Sequence, residues 1–263
     1  MNQTKTTTAT QHAHEGRTQR KDMWWIEPAL VAIGFGGFGV YATFRALENQ
    51  LYDWGHVYLS PFYSPKIIID GFPFSPAFLI LWIPLLFRAT CYYYRKAYYR
   101  AYFLDPPACS VGHWGGHSYC GETSFPFVLQ NLHRYFFYLA TIVLAFLWWD
   151  VVVAFFPKLT GMQDAAMFQI SAVNLVMLAN VILLSGYSLG CHACRHLCGG
   201  KLDCFSACQR SKTQFKIWSF VSKLNQRHMA WAWASLFSVG LTDFYIRMGD
   251  AGVAPALVIL SLR

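Results

Sequence analysis

Five separate stretches of this chain are apolar over about the length needed to cross a lipid bilayer: Met23 to Phe44, Ile67 to Phe87, Leu132 to Phe156, Phe168 to Leu189 and His228 to Ile246. At 1.5 Å per residue, about 20 residues traverse a hydrocarbon layer of roughly 30 Å. Unpaired backbone cannot face lipid, so each stretch is expected to be a helix. Five such runs are hard to place in one soluble core, and the composition agrees: of 263 residues, 55% are hydrophobic and only 13% charged. The expected fold class is therefore an all-α integral membrane protein with five transmembrane helices over residues 23–263. A polar, Thr-rich tail, residues 1–22, precedes them. It lacks the order of a signal peptide and reads as disordered, with His12 and His14 inert.

Positive charge sets the orientation. The tail, the loop between spans two and three, and the loop between spans four and five hold sixteen of the twenty-one Lys and Arg residues, and the opposite side holds five. The positive-inside rule then puts the amino terminus and both of these loops in the cytoplasm, in the plasma membrane of the cell. The net charge of +8 is chiefly this topology signal, with anionic membrane lipids or an acidic docking partner as its secondary use. No nucleic-acid motif accompanies the basic loops, so nucleic acid is not expected as a partner. The tyrosine-rich run Cys91 to Arg100 fits an interfacial helix continuing from span two, and a helix is expected from Lys201 to Lys216. The loop from Glu48 to Ser75 fits a structured cap on the outer surface.

Both inner loops, residues 105–125 and 190–210, are rich in soft metal ligands. The first carries Cys109, His113, His117 and Cys120 among prolines and glycines; the second carries Cys191, His192, Cys194, His196, Cys198, Cys204 and Cys208. Cys194-Arg195-His196 is a C-x-H unit, one half of the ligand set of a Rieske [2Fe-2S] centre, in which two thiolates hold one iron and two imidazoles the other. The second half, C-x-x-H, is missing. The preferred set takes two ligands from each loop, His117 and Cys120 with Cys194 and His196; Cys191 competes with Cys194, and His113 with His117. Structural zinc fits the same donors, a [4Fe-4S] centre could use Cys191, Cys194 and Cys198, and disulfides are disfavoured on a reducing side. Cys91 reads as a small buried hydrophobe.

Several polar residues lie within the spans. His133 and His228, near the inner starts of spans three and five, could ligate haem b, a weaker alternative because both sit close to the interface. With Arg134 and Trp231 they could instead bind a quinone. Asp150 is an intramembrane carboxylate, which commonly marks a pathway or pocket; it is expected toward the outer side, where Asp243 and Tyr245 at a similar level could help it exchange protons.

The five spans, the inward cysteine loops and the run Ser185-Gly186-Tyr187-Ser188-Leu189-Gly190-Cys191-His192-Ala193-Cys194-Arg195-His196-Leu197-Cys198 resemble the membrane anchor of the actinobacterial, mycobacterial-type succinate dehydrogenase. The resemblance implies a membrane-embedded Rieske-type cluster in place of haem. It also implies a flavoprotein subunit that oxidises succinate, a three-cluster iron-sulfur subunit, a further small anchor subunit, and menaquinone as the electron acceptor. The chain shows no Gly-rich flavin motif, so dicarboxylate chemistry would belong to a partner. Anchors of fumarate-reductase or heterodisulfide-reductase-like complexes and a zinc-stabilised structural membrane protein are the competing functions.

Overall fold

The computed structural model describes residues 18–262, except positions 70, 72, 115–122, 124, 126, 201, 203, 207 and 208. The chain is a helical bundle. Its main helices are α1 (Ile26–Glu48), α2 (Ala77–Ala89), α3 (Tyr92–Phe103), α4 (His133–Phe155), α5 (Ala172–Leu189), α6 (Gln209–Gln226) and α7 (His228–Asp250). By length and composition α1, α4 and α5 suffice to cross a membrane, and α2 with α3 passes as a fourth, broken span. α7 is as long as α4 but carries Ser235, Ser238, Thr242 and Asp243 along its length, and much of this polar face is buried against neighbouring helices. Large apolar side chains such as Ile33, Leu85, Ile142 and Leu241 point outward, as lipid-facing surfaces do.

Some expected boundaries move, each for a local reason. The second span begins at Ala77 rather than Ile67, directly after Pro76, a residue suited to helix starts. The fourth begins at Ala172 rather than Phe168, because the Ser171 hydroxyl and Asn174 form a reciprocal capping box. Phe168–Ser171 is instead a strand, pairing antiparallel with Val258–Leu262. The helix expected over Lys201 to Lys216 starts at Gln209 and runs on to Gln226. Residues 1–17 of the tail lie outside the described residues, but Thr18 and Arg20 bond the carbonyls of Ser110 and Cys109 at 2.7 and 2.9 Å, so the end of the tail lies against the first cysteine loop.

The tyrosine-rich segment is helical and turns 81° from α2. Cys91 makes the turn: its backbone is extended (φ −69°, ψ 131°) between two helices. Cys191 repeats the device after α5 (φ −65°, ψ 146°), just before a short helix, His192–Arg195.

Two close approaches fix the bundle. A Cβ at Gly186 would stand 2.6 Å from the Trp231 ring, so α5 and α7 cross where only a hydrogen fits. A Cβ at Gly249 would stand 2.2 Å from Trp54, which belongs to the loop between α1 and α2. That loop is a structured cap, with Asp53–Trp54 and Tyr58–Leu59 paired as a two-stranded ribbon.

The cap end of the bundle is organised by Arg45, which is fully buried. All five guanidinium N–H groups find acceptors: both oxygens of Asp243 at 2.8 and 3.3 Å, Glu48, and the carbonyls of Gln50 and Leu51, each at 3.0 Å. Asp243 also accepts from Tyr41 at 2.5 Å and from Ser60, while Glu48 pairs with Arg247 at 2.8 Å. Asp243 is thus held in an ion pair, and the Tyr245 hydroxyl donates to the Pro255 carbonyl, so neither stands free to act with Asp150. Asp150 accepts from Ser64 of the cap instead.

Asp243→Ala would strand a buried guanidinium and should cost about 3–5 kcal/mol. The double variant Arg45→Met/Asp243→Leu should recover most of that loss, as read by thermal unfolding in detergent. Gly186→Val, which drives methyl groups into Trp231, should destabilise by about 1–3 kcal/mol in the same assay.

Candidate metal and quinone site

Four soft donors from four chain segments meet at one end of the bundle: Cys91 at the α2–α3 corner, His133 at the start of α4, Cys191 after α5 and His228 at the start of α7. His133 Nε2 lies 3.0 Å from Cys191 Sγ, and His228 Nε2 lies 3.6 Å from Cys91 Sγ. Both thiols and the His228 ring are almost completely buried.

Both imidazoles are fixed by ring stacking. Phe87 lies over His133 with centroids 5.0 Å apart and planes within 9°, and Tyr187 lies over His228 at 4.9 Å and 18°. His133 Nδ1 is 2.9 Å from the Thr90 hydroxyl, which orients the ring as outer partners orient metal-bound histidines. His228 Nδ1 is buried with no hydrogen-bond partner among the described residues.

Among the described residues, no three His, Cys, Asp or Glu side chains are gathered around a single ion. The four donors instead form two Cys–His pairs side by side. A Rieske centre takes two thiols on one iron and two imidazoles on the other, so these donors match it in number and type, while their contacts pair each thiol with an imidazole instead. Burial pushes the Cys191 thiol up to about 12, so metal binding there must displace a proton.

Of the loop residues expected as ligands, Cys191 is among the four donors, and the others that the structure describes lie elsewhere. His113 is bonded to Asp105. Cys194 lies 3.8 Å from Cys198, sulfur to sulfur, and burial beside that second thiol pushes it up to about 12. His117 and Cys120 lie outside the described residues. His196 faces a cavity of about 640 Å³ that opens beside the four donors. Of the residues expected at a quinone site, His133, His228 and Arg134 line this cavity, together with Arg95, His192 and Asn131.

Trp231 does not line this cavity; it packs behind it against Gly186, its indole nitrogen buried without a hydrogen-bond partner among the described residues. Asp150 is seventeen residues along α4 from His133, about 25 Å at 1.5 Å per residue, too far to belong to the same pocket. The sequence reading missed Cys91, Arg95 and His192 here. The usable signal for Cys91 was its position: like Cys191, it stands where a span ends and a turned helix begins.

Thiol accessibility tests this arrangement. In metal-free protein at pH 8, iodoacetamide should modify exposed Cys109 and Cys204 readily. It should reach Cys191 and Cys194 about a hundred-fold more slowly or worse, because both are buried and scarcely ionised. Peptide mass spectrometry against time would measure the difference.

A family model described as actinobacterial succinate dehydrogenase subunit SdhC matches residues 26–252. Among solved structures, a chain of the Mycobacterium smegmatis Sdh1 complex in the apo form is 40% identical. That match covers 93% of this chain and 94% of the other, with a TM-score of 0.81. No curated protein matches the chain. With the family model spanning most of its length and a relative so similar in sequence and fold, this chain belongs to the actinobacterial succinate dehydrogenase subunit SdhC family.

Proposed function

We propose that this succinate dehydrogenase anchor carries electrons from an iron-sulfur subunit to menaquinone through a Rieske-type [2Fe-2S] cluster held by Cys91, Cys191, His133 and His228. The observation that carries the proposal is the meeting of these four donors beside the 640 Å³ cavity. The similarity to a chain of the Sdh1 complex supports assembly with flavoprotein and iron-sulfur subunits. The charge bias supports five spans with the cluster end, the amino terminus and both cysteine loops on the cytoplasmic face.

A Cys2His2-ligated cluster supplies one-electron transfer at a higher potential than an all-thiolate one, which suits donation to a quinone. The chain's own residues do the rest. Thr90, Phe87 and Tyr187 hold the imidazoles, and the thiols are buried at the cavity wall. Arg134 and Arg95 line the cavity and can donate hydrogen bonds to a quinone carbonyl, while His192 and His196, also at its wall, can deliver the protons that quinone reduction consumes. The volume falls within the range usual for small-molecule sites.

Electron paramagnetic resonance of the reduced, purified complex tests the ligand set. A Rieske signal should be present, should vanish in Cys91→Ala and His228→Gln, and should survive in Cys194→Ala and His196→Ala. The opposite pattern would return the cluster to the cysteine loops. Zinc without iron or acid-labile sulfide would sink the redox function, and a haem absorption band would replace the cluster with haem b. Arg134→Ala should raise KM for a menaquinone analogue about ten-fold or more, as expected for losing a charged hydrogen bond.

A further inference from the structure

Arg45 and Arg88 lie in opposite surroundings within the bundle. Arg45, at the cap end, is matched by Asp243 and Glu48. Arg88, half-buried in the last turn of α2, has only neutral acceptors: Nη1 donates to the Tyr94 hydroxyl and to the Ala232 carbonyl at 3.2 Å, and Nη2 donates to the Ser235 hydroxyl at 3.0 Å. Among the described residues no carboxylate forms an ion pair with it. A lone cation within a membrane-spanning bundle is costly and marks a functional position.

The surroundings of Arg88 point to what it serves. Its guanidinium carbon lies 4.7 Å from the centre of the Tyr187 ring, the same ring that stacks on His228. Its chain neighbour Phe87 stacks on His133. The end of α2 therefore places an aromatic ring on one imidazole and a fixed positive charge one ring away from the other. Little water reaches this region: Tyr94, Tyr187, Ala232 and Ser235 around the guanidinium are all buried. In such surroundings a charge acts over about 10 Å far more strongly than it would in water.

We infer that Arg88 sets the reduction potential of the centre held by Cys91, Cys191, His133 and His228, its uncompensated charge favouring the form that carries one more electron. The inference rests on the proposed cluster. In the step concerned, one electron from the iron-sulfur subunit lowers the net charge of the site by one, no bond forms or breaks, and Arg88 remains protonated throughout. The centre is thereby biased to accept an electron before passing it on. Arg88 is a positioning residue in this sense: it touches none of the reacting atoms and acts through the field.

The test is a potentiometric titration of the Rieske signal in the intact complex. Arg88→Gln should lower the equilibrium constant for one-electron reduction about ten-fold, a fall of about 59 mV in midpoint potential. Arg88→Lys should keep the potential near that of the unmodified protein. Ser235→Asp, which supplies the missing counter-charge while leaving Arg88 in place, should lower the potential in the same direction, and Ser235→Ala, which removes a hydrogen bond but no charge, should not. Unchanged potentials in Arg88→Gln or Ser235→Asp complexes that still show the signal would overturn the inference. Absence of the signal from the unmodified complex would instead overturn the cluster on which it rests.

Discussion

Helices in lipid gain nothing from hiding apolar side chains against one another, because the tails around them are equally apolar, so association relies on close packing and on polar groups that find partners between helices. This bundle follows that constraint closely. α5 and α7 touch where Gly186 admits the Trp231 ring, and the Ser238 hydroxyl of α7 donates to Asn180 of α5 at 2.8 Å. The Asn174 amide reaches the Ala154 carbonyl of α4 at 2.6 Å, and Arg88 joins α2 to α7 through Ser235. Few of these groups could be left unpaired, which restricts the helices to one arrangement and brings their ends together at fixed places.

The two ends of the bundle use this differently. At the cap end the central charges are matched: five donors of Arg45 meet five acceptors, and Glu48 ties in Arg247. That end is a clamp joining α1, the cap and α7. At the other end, among the described residues, His228 Nδ1 has no hydrogen-bond partner and Arg88 no carboxylate, and a cavity is lined by basic side chains. The asymmetry sets a charge-matched end against one that opens onto a cavity.

The helices were legible because length and apolarity together leave lipid-spanning segments few alternatives. Their starts were less so, since Pro76 and the Ser171–Asn174 capping box act over one turn and are invisible to an average over twenty residues. Two cavity-lining histidines were also legible, His133 and His228, because each begins an apolar span. The grouping of donors was legible only in part, through Cys191, which was weighed beside Cys194. Spacing motifs such as C-x-H assume ligands from neighbouring positions, and that assumption drew attention to Cys194 and His196. The structure instead assembles donors from four helix ends separated by dozens of residues, a grouping that only tertiary packing creates. Cys91 was hidden further by its setting, one small residue before a row of tyrosines.

The sharp corner between α2 and α3 has a mechanical meaning. A continuous helix would transmit a push along its axis; a helix broken at 81° works as a crank, with α2 as the shaft in the bundle, α3 as the arm and Cys91 at the pivot. The Tyr94 hydroxyl braces that arm against α7 through the Ala232 carbonyl at 2.5 Å, and Tyr102 braces it against α1 through the Ala32 carbonyl at 2.8 Å. Any load placed on α3 is therefore carried into two helices at once rather than spent in rotating the corner, and the sulfur at the pivot keeps its position while the surface around it is engaged.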